Sequence, residues 1–188
     1  MNDDLDPLRR LRPDRVHPDD PAEPTVFTRE KERLMASIGN TNPTPSSVRM
    51  PDIYARLAYE DEIAAVEYLT RVFQLDEIRE ARTDLGDNRL SWLRVGDGVV
   101  MIGRANAEVH RIHSPRTIGN TTVQMMVYVH EIEAHYAHAV AEGADVTMEL
   151  EDAFYGERRY EATDPEGHRW HFAERFADIK ARGGTVPD

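Results

Sequence analysis

Histidine, arginine and carboxylate side chains are the groups in this sequence able to bind ions, move protons or grip a charged ligand, and their spacing limits what they can do. Cysteine is absent, which removes thiolate metal sites, disulfides and cysteine nucleophiles. Of the 8 histidines, His130 precedes Glu131 and is followed by His135. That is a near miss to the zinc-protease helix signature, whose two histidines stand four apart on one face. His135 and His138 share a helix face and form a weak chelating pair at most; a solvated face is the ordinary place for them. His110 and His113 fall in a connecting stretch, where surface placement is the default. Arg158, Arg159 and Arg169 are suited to a carboxylate or phosphate. Glu157, Glu161 and Glu166 stand near them, so ion pairs within the protein are the simpler reading. No Ser-His-Asp order, phosphate loop or dinucleotide fingerprint occurs.

These groups need strands and helices to position them. His171 lies in an alternating segment with Arg169 on its face and Trp170 and Phe172 on the other. Gln124, Met126 and Tyr128 alternate in the same way with Val123, Met125, Val127 and Val129. The wholly apolar faces are expected to pack under a helix, which leaves Gln124 and His171 on the mixed faces. Trp92 sits beside Arg94 in a third strand pattern, where the indole either stacks on a flat ligand or joins the core.

The chain repeats itself. Tyr59-Glu-Asp-Glu62-Ile63 resembles Tyr128-Val-His-Glu131-Ile132 at an offset of 69, and Gly86-Asp-Asn-Arg89 resembles Gly156-Glu-Arg-Arg159 at an offset of 70. A strand precedes each first motif. Helices are expected over Glu62 to Phe73 and Glu131 to Glu142, with Ile63, Val66, Leu69 and Phe73 on one apolar stripe and Ile132, Tyr136 and Ala139 on the other. Further strands follow near Ile78–Thr83, Arg89–Val95 and Val99–Gly103, then near Asp145–Glu149, Arg158–Ala162 and Arg169–Glu174. Gly96-Asp97-Gly98 and Asp164-Pro165-Glu166-Gly167 are the matching turns. Each half reads β-α-β-β-β, an α/β (α+β) fold in two modules, 51–105 and 119–176. Residues 1–50 form a proline-rich arm with a short helix expected near 28–38, and 177–188 read as a C-terminal tail.

Tyr155-Gly-Glu-Arg-Arg-Tyr160, followed by Asp164-Pro-Glu-Gly-His-Arg-Trp-His-Phe172, resembles the terminal signature of the bleomycin-resistance branch of the vicinal oxygen chelate superfamily, which also holds glyoxalase I, extradiol dioxygenases and fosfomycin-resistance enzymes. The resemblance covers about two thirds of the chain and leaves the arm outside. It implies two cupped half-sheets around a ligand cavity and a homodimer. It also implies four positions where enzymes of the superfamily hold a divalent metal, on the first and last strand of each module. Here those positions fall at Tyr54 (or Ala55 if the offset is 69), Met101, Gln124 and His171. A thioether, an amide, a phenol and one imidazole do not make a site for a hard divalent ion. The expectation is therefore a metal-free and cofactor-free site with Tyr54, Trp92, Met101, Gln124, Arg169 and His171 as ligand-binding residues and no assigned catalytic residue.

Charge narrows the partners. The net charge is -12; the first fifty residues hold 8 basic and 9 acidic side chains, leaving 15 and 26 for the rest. A body this acidic repels nucleic acid and anionic membranes and favours cationic ligands. The N-terminus shows no cationic start or apolar h-region, and with no cysteine the expectation is a cytoplasmic protein. The leading function is sequestration of an antibiotic-like or cationic small molecule. A metal-dependent glyoxalase or dioxygenase, with Glu161 or Glu174 joining His171, is the alternative. A non-catalytic interaction protein that recruits a partner through its arm is the second.

Overall fold

The structure is a computed structural model and describes residues 50–86 and 88–187. The arm and its expected helix near 28–38 lie outside the described residues. The first module begins with β1 (Ala55–Tyr59) and α1 (Glu62–Val72). Asp61 caps α1 by accepting the Ala64 N–H at 3.0 Å, and Glu62 and Arg71 stand at the helix ends that suit their charges. Next come β2 (Asp76–Glu77), a 3₁₀ turn at Arg79–Ala81, β3 (Thr83–Leu85), β4 (Asn88–Val95) and β5 (Gly98–Arg104). A connector leads to the single turn α2 (Pro115–Ile118), with Ser114 as N-cap and Gly119 in the left-handed conformation behind it. The second module is β6 (Gln124–Tyr128), α3 (Ile132–Ala141), β7 (Asp145–Ala153), β8 (Glu157–Thr163) and β9 (Arg169–Arg175).

Each module forms one sheet, in the orders β1-β5-β4-β2, with β3 also on β4, and β6-β9-β8-β7. β1 runs parallel to β5 and β6 parallel to β9; the other neighbours are antiparallel. Two β-α-β-β-β modules are thus present, with one difference in the first. The strand expected at Ile78–Thr83 is two short strands around the 3₁₀ turn. Arg82 reaches back to the Glu77 carboxylate through Nε at 2.9 Å and through Nη2, which closes the turn and breaks the run. The residues expected as a C-terminal tail begin with a helix, α4 (Phe176–Ala181), whose Ile179 is fully buried.

Strand register corrects the alignment of the two halves. Arg56 pairs with Met101 and Met126 with His171, so β1 matches β6 and β5 matches β9 at an offset of 70. Trp92 pairs with Met101 and Glu161 with His171, so β4 matches β8 at 69. The extra residue falls in the second β8–β9 turn. The helices also start 70 apart, so the sequence match at 69 places Glu62 and Ile63 opposite the wrong partners. Ile63 is 43% exposed while Ile132 is wholly buried. The buried stripe of α1 is Glu62, Ala65, Leu69 and Val72, and that of α3 is Ile132, His135 and Ala139. Glu62 can occupy the place of Ile132 because its carboxylate accepts the Arg89 N–H at 3.1 Å and Arg104 Nε at 3.0 Å.

The helix-facing sides of both sheets share one core, in which Leu57, Leu93 and Ile102 belong to the first module and Tyr160, Trp170 and Phe172 to the second. Phe73, at the end of α1, reaches Trp170 and Phe172 at ring distances of 5.7 and 5.0 Å. Polar ties cross the join. Asp164 accepts from Tyr59 Oη at 2.6 Å, from Trp170 Nε1 at 3.1 Å, and from the backbone N–H groups of Glu166 and His168, each at 3.0 Å. Glu166 accepts the Glu60 and Asp61 N–H groups ahead of α1 and the Ser114 hydroxyl. His135, expected on a solvated face, is buried: Nε2 donates to the Phe73 carbonyl at 3.2 Å and Nδ1 accepts from Tyr160 at 2.8 Å.

Candidate functional site

The side of each sheet turned away from the shared core carries the candidate residues, as strand alternation requires. On the first sheet Trp92 and Met101 are cross-strand partners, both half-buried. Tyr54 is an exposed residue immediately before β1. The offset of 70 makes Tyr54, not Ala55, the counterpart of Gln124. On the second sheet Gln124 and Arg169 are register partners and His171 follows two residues on. The structure therefore brings Gln124, Arg169 and His171 together on the second sheet and pairs Trp92 with Met101 on the first, with Tyr54 outside the strands. A pocket of about 320 Å³ takes inner-face Leu75, Leu93, Met125 and Trp170 together with Met126 and Tyr128 of the outer face, and includes none of the six.

Glu161, which stands opposite His171 on β8, organises the second set. Its Oε1 accepts from Gln124 Nε2 at 3.0 Å and lies 3.2 Å from His171 Nδ1, while Oε2 takes Arg169 Nη2 at 2.7 Å. Burial pushes the Glu161 carboxyl up. The hydrogen bonds from His171, Arg169 and Gln124, with the charge of Arg169, outweigh it and hold the group below the usual carboxylate range. Ionised Glu161 can only accept, so His171 Nδ1 is the donor of this contact, and in the neutral form of the ring the lone pair is on Nε2. His171 is 2% exposed and Nε2 has no partner. Leaving a buried polar atom unpaired costs about 1–3 kcal/mol. On the first sheet Trp92 Nε1 and Arg56 Nε are also buried without partners, so unsatisfied atoms recur on both outer faces. The Arg56 side chain fits over Gly103, where an added Cβ would come within 3.4 Å of its Nε. Burial lowers the pKa of this guanidinium.

Farther along the same face, Arg175 stacks on Tyr128 at 3.9 Å, and the Tyr128 hydroxyl donates to Glu157 at 2.5 Å. Arg159 is paired with Glu151 at 2.8 Å and Arg158 with Asp152 at 2.7 Å and Glu133 at 2.5 Å. The arginines considered for an anionic ligand are thus engaged within the chain. Sequence reading placed Tyr128 on the mixed face without a role and missed Arg56 and Arg175 as outer-face residues with stacking or unsatisfied groups. The alternation that exposed Gln124 also pointed to Tyr128 and, from β9, to Arg175.

The metal positions of the superfamily do not fit a hard divalent ion in this chain. Gln124 and His171 both turn to Glu161, Met101 offers sulfur, and Tyr54 is an exposed phenol outside the strand. Glu174 lies on the inner face, where it accepts the Ile132 N–H at 3.0 Å and pairs with Arg182, so it has no share in an outer-face site. Among the described residues no cluster of three or more histidine and carboxylate groups is placed to hold a metal ion. No helix among them is long and apolar enough to cross a membrane.

Known proteins share this arrangement. The model of the Glyoxalase/Bleomycin resistance protein/Dioxygenase superfamily matches residues 54–172. TioX from Micromonospora sp. ML1 is similar in structure, with a TM-score of 0.55 and 31% identity over 67% of this chain and 99% of its own. A glyoxalase/bleomycin resistance protein/dioxygenase family enzyme from Burkholderia phytofirmans PsJN shares the fold at a TM-score of 0.51 and 16% identity, covering 65% of this chain and 96% of its own. An uncharacterised protein of Mycobacterium bovis is 26% identical over 136 residues, 69% of this chain and 86% of its own length. With the paired β-α-β-β-β modules and the match over most of both, the chain belongs to the Glyoxalase/Bleomycin resistance protein/Dioxygenase superfamily.

Proposed function

We propose that this chain binds a small, flat, cationic molecule on the outer faces of its sheets without a metal, and that it does so as a homodimer. The observation that carries this reading is the recurrence of buried, unpartnered polar atoms on those faces, Trp92 Nε1 and Arg56 Nε on one sheet and His171 Nε2 on the other. Buried polar groups in folded proteins are ordinarily paired, and a ligand would supply the missing partners. Trp92 offers an aromatic surface and Met101 an adaptable one. The acidic body favours cations. Exposed Met126 and Tyr128 on the second face, with Tyr155 near its edge, are apolar surface for a second copy to cover.

Thermal unfolding of the purified full chain tests the binding. It is followed with Zn, Mn, Fe and Ni and with a panel of cationic aromatic compounds including antibiotics. A true ligand at a hundred times its dissociation constant stabilises by about 2.7 kcal/mol, a rise of several degrees for a protein of this size. The expected result is stabilisation by at least one cationic aromatic compound and by none of the metals. A stoichiometric metal that raises the melting temperature would overturn the metal-free reading and turn attention to lyase and dioxygenase assays.

A further inference from the structure

We propose that His171, oriented by Glu161, is the hydrogen-bond acceptor of the binding site, and that the ligand presents an O–H or N–H donor to its Nε2. The assignment rests on the outer face being the ligand site, and it adds the polarity that the ligand must have there.

Four observations lead to it. First, Glu161 Oε1 lies 3.2 Å from Nδ1, and its other contacts are donors, Gln124 Nε2 and Arg169 Nη2. The carboxylate holds a proton on Nδ1, so in the neutral form of the ring Nε2 has only a lone pair to offer. Second, that nitrogen is buried and unpaired, whereas His135, also buried, uses both nitrogens, on Phe73 and Tyr160. His168 also leaves one nitrogen unpaired, but its ring is held at the join between the modules, 4.5 Å from the Tyr59 ring with Nε2 donating to the Ala58 carbonyl. Third, the side chain points away from the core: its neighbours Trp170 and Phe172 are packed inside, and its register partners Met126 and Glu161 share its face. Met126, its register partner on this face, is 54% exposed, with an unbranched and adaptable side chain. Fourth, Arg169 balances the charge of Glu161 at 2.7 Å. Glu161 is thus no free anion, and selection falls on the donor presented to Nε2 and not on charge alone. Trp92, the counterpart of Glu161 in the first module, brings a donor instead, so the two outer faces differ in polarity.

The test uses the full-length ¹⁵N-labelled protein and two probes, 4-hydroxybenzylamine and 4-methoxybenzylamine. Both carry the same ring and cation, and only the first has a phenolic donor. Long-range ¹H–¹⁵N spectra of the free protein should show His171 with its proton on Nδ1. The hydroxyl probe should shift the Nε2 resonance and bind about tenfold more tightly than the methyl ether, the factor expected for one hydrogen bond in a shielded site. His171→Phe should bind both probes alike. A proton on Nε2 in the free protein would overturn the assignment, and the wild-type spectrum answers this even if the variant does not fold. Equal affinity for the two probes, with Nε2 unmoved, would also overturn it but leave the outer-face site standing. If neither probe perturbs Trp92, Met126 or Arg169, the site reading falls and this assignment with it.

Discussion

His135 donates one ring proton to Phe73 and accepts one from Tyr160, so inside the core it must stay neutral. Burial lowers its pKa below the ordinary imidazole value. The sign follows from proton counting: the unfolded chain binds a proton near that value and the native chain binds it only at lower pH. The stabilisation is therefore complete above about pH 6.5 and is lost as the pH falls toward the depressed native value. Melting temperatures between pH 7.5 and 5 should fall, and fall less in His135→Leu, whatever the absolute stability of the variant. Identical slopes in the two proteins would remove His135 as the cause. His135 also marks a limit of sequence reading. Spacing put it on a helix, but a polar residue gives no sign of facing inward until its partner, Tyr160, is brought from 25 residues away. His171 was legible as an outer-face residue from strand alternation. Its tautomer was not, because that depends on Glu161 lying opposite across two strands.

At the scale of elements, the turn between β8 and β9 acts as the clasp of the join. Asp164 takes two side-chain and two backbone donors, and Glu166 takes three more from ahead of α1 and from the connector. Asp164→Ala strands four donors and should cost about 3 kcal/mol or more in urea unfolding. Glu151→Gln, which loosens an ion pair with 49% and 24% exposed side chains, should stay within about 1 kcal/mol. Comparable losses in the two would mean that the clasp is not what holds the modules together. The sequence showed this segment as a turn, and the family resemblance marked it as a signature, but neither disclosed its contacts with Tyr59 and α1. The module pattern itself was readable because apolar alternation and helical spacing are local. The alignment of the halves was not, since a single added residue in a turn shifts the apparent repeat. Only the pairing of Arg56 with Met101 and of Met126 with His171 settles it.

At the scale of the whole molecule, large apolar groups among the described residues are exposed. Phe154 at the tip of the β7–β8 turn is fully exposed, and Tyr155, Tyr128 and Met126 are close to half exposed or more. The proposed homodimer predicts a sedimentation mass of twice the 21.5 kDa chain, and Met126→Glu, which sets a charge in the centre of the outer face, should return it to the monomer. A wild-type mass of 21.5 kDa at micromolar concentration would sink the homodimer. The common core carries another consequence. Only the exposed connector around Ala107 and Glu108 links the modules covalently, while Phe73, Trp170, Asp164 and Glu166 bind them through space. A chain nicked there would keep both halves joined as a noncovalent pair, and two fragments made separately would each lack the surface that completes the other. The fold is in effect a heterodimer written as one polypeptide, ready to serve as a split reporter whose reassembly signals that two fused proteins have met.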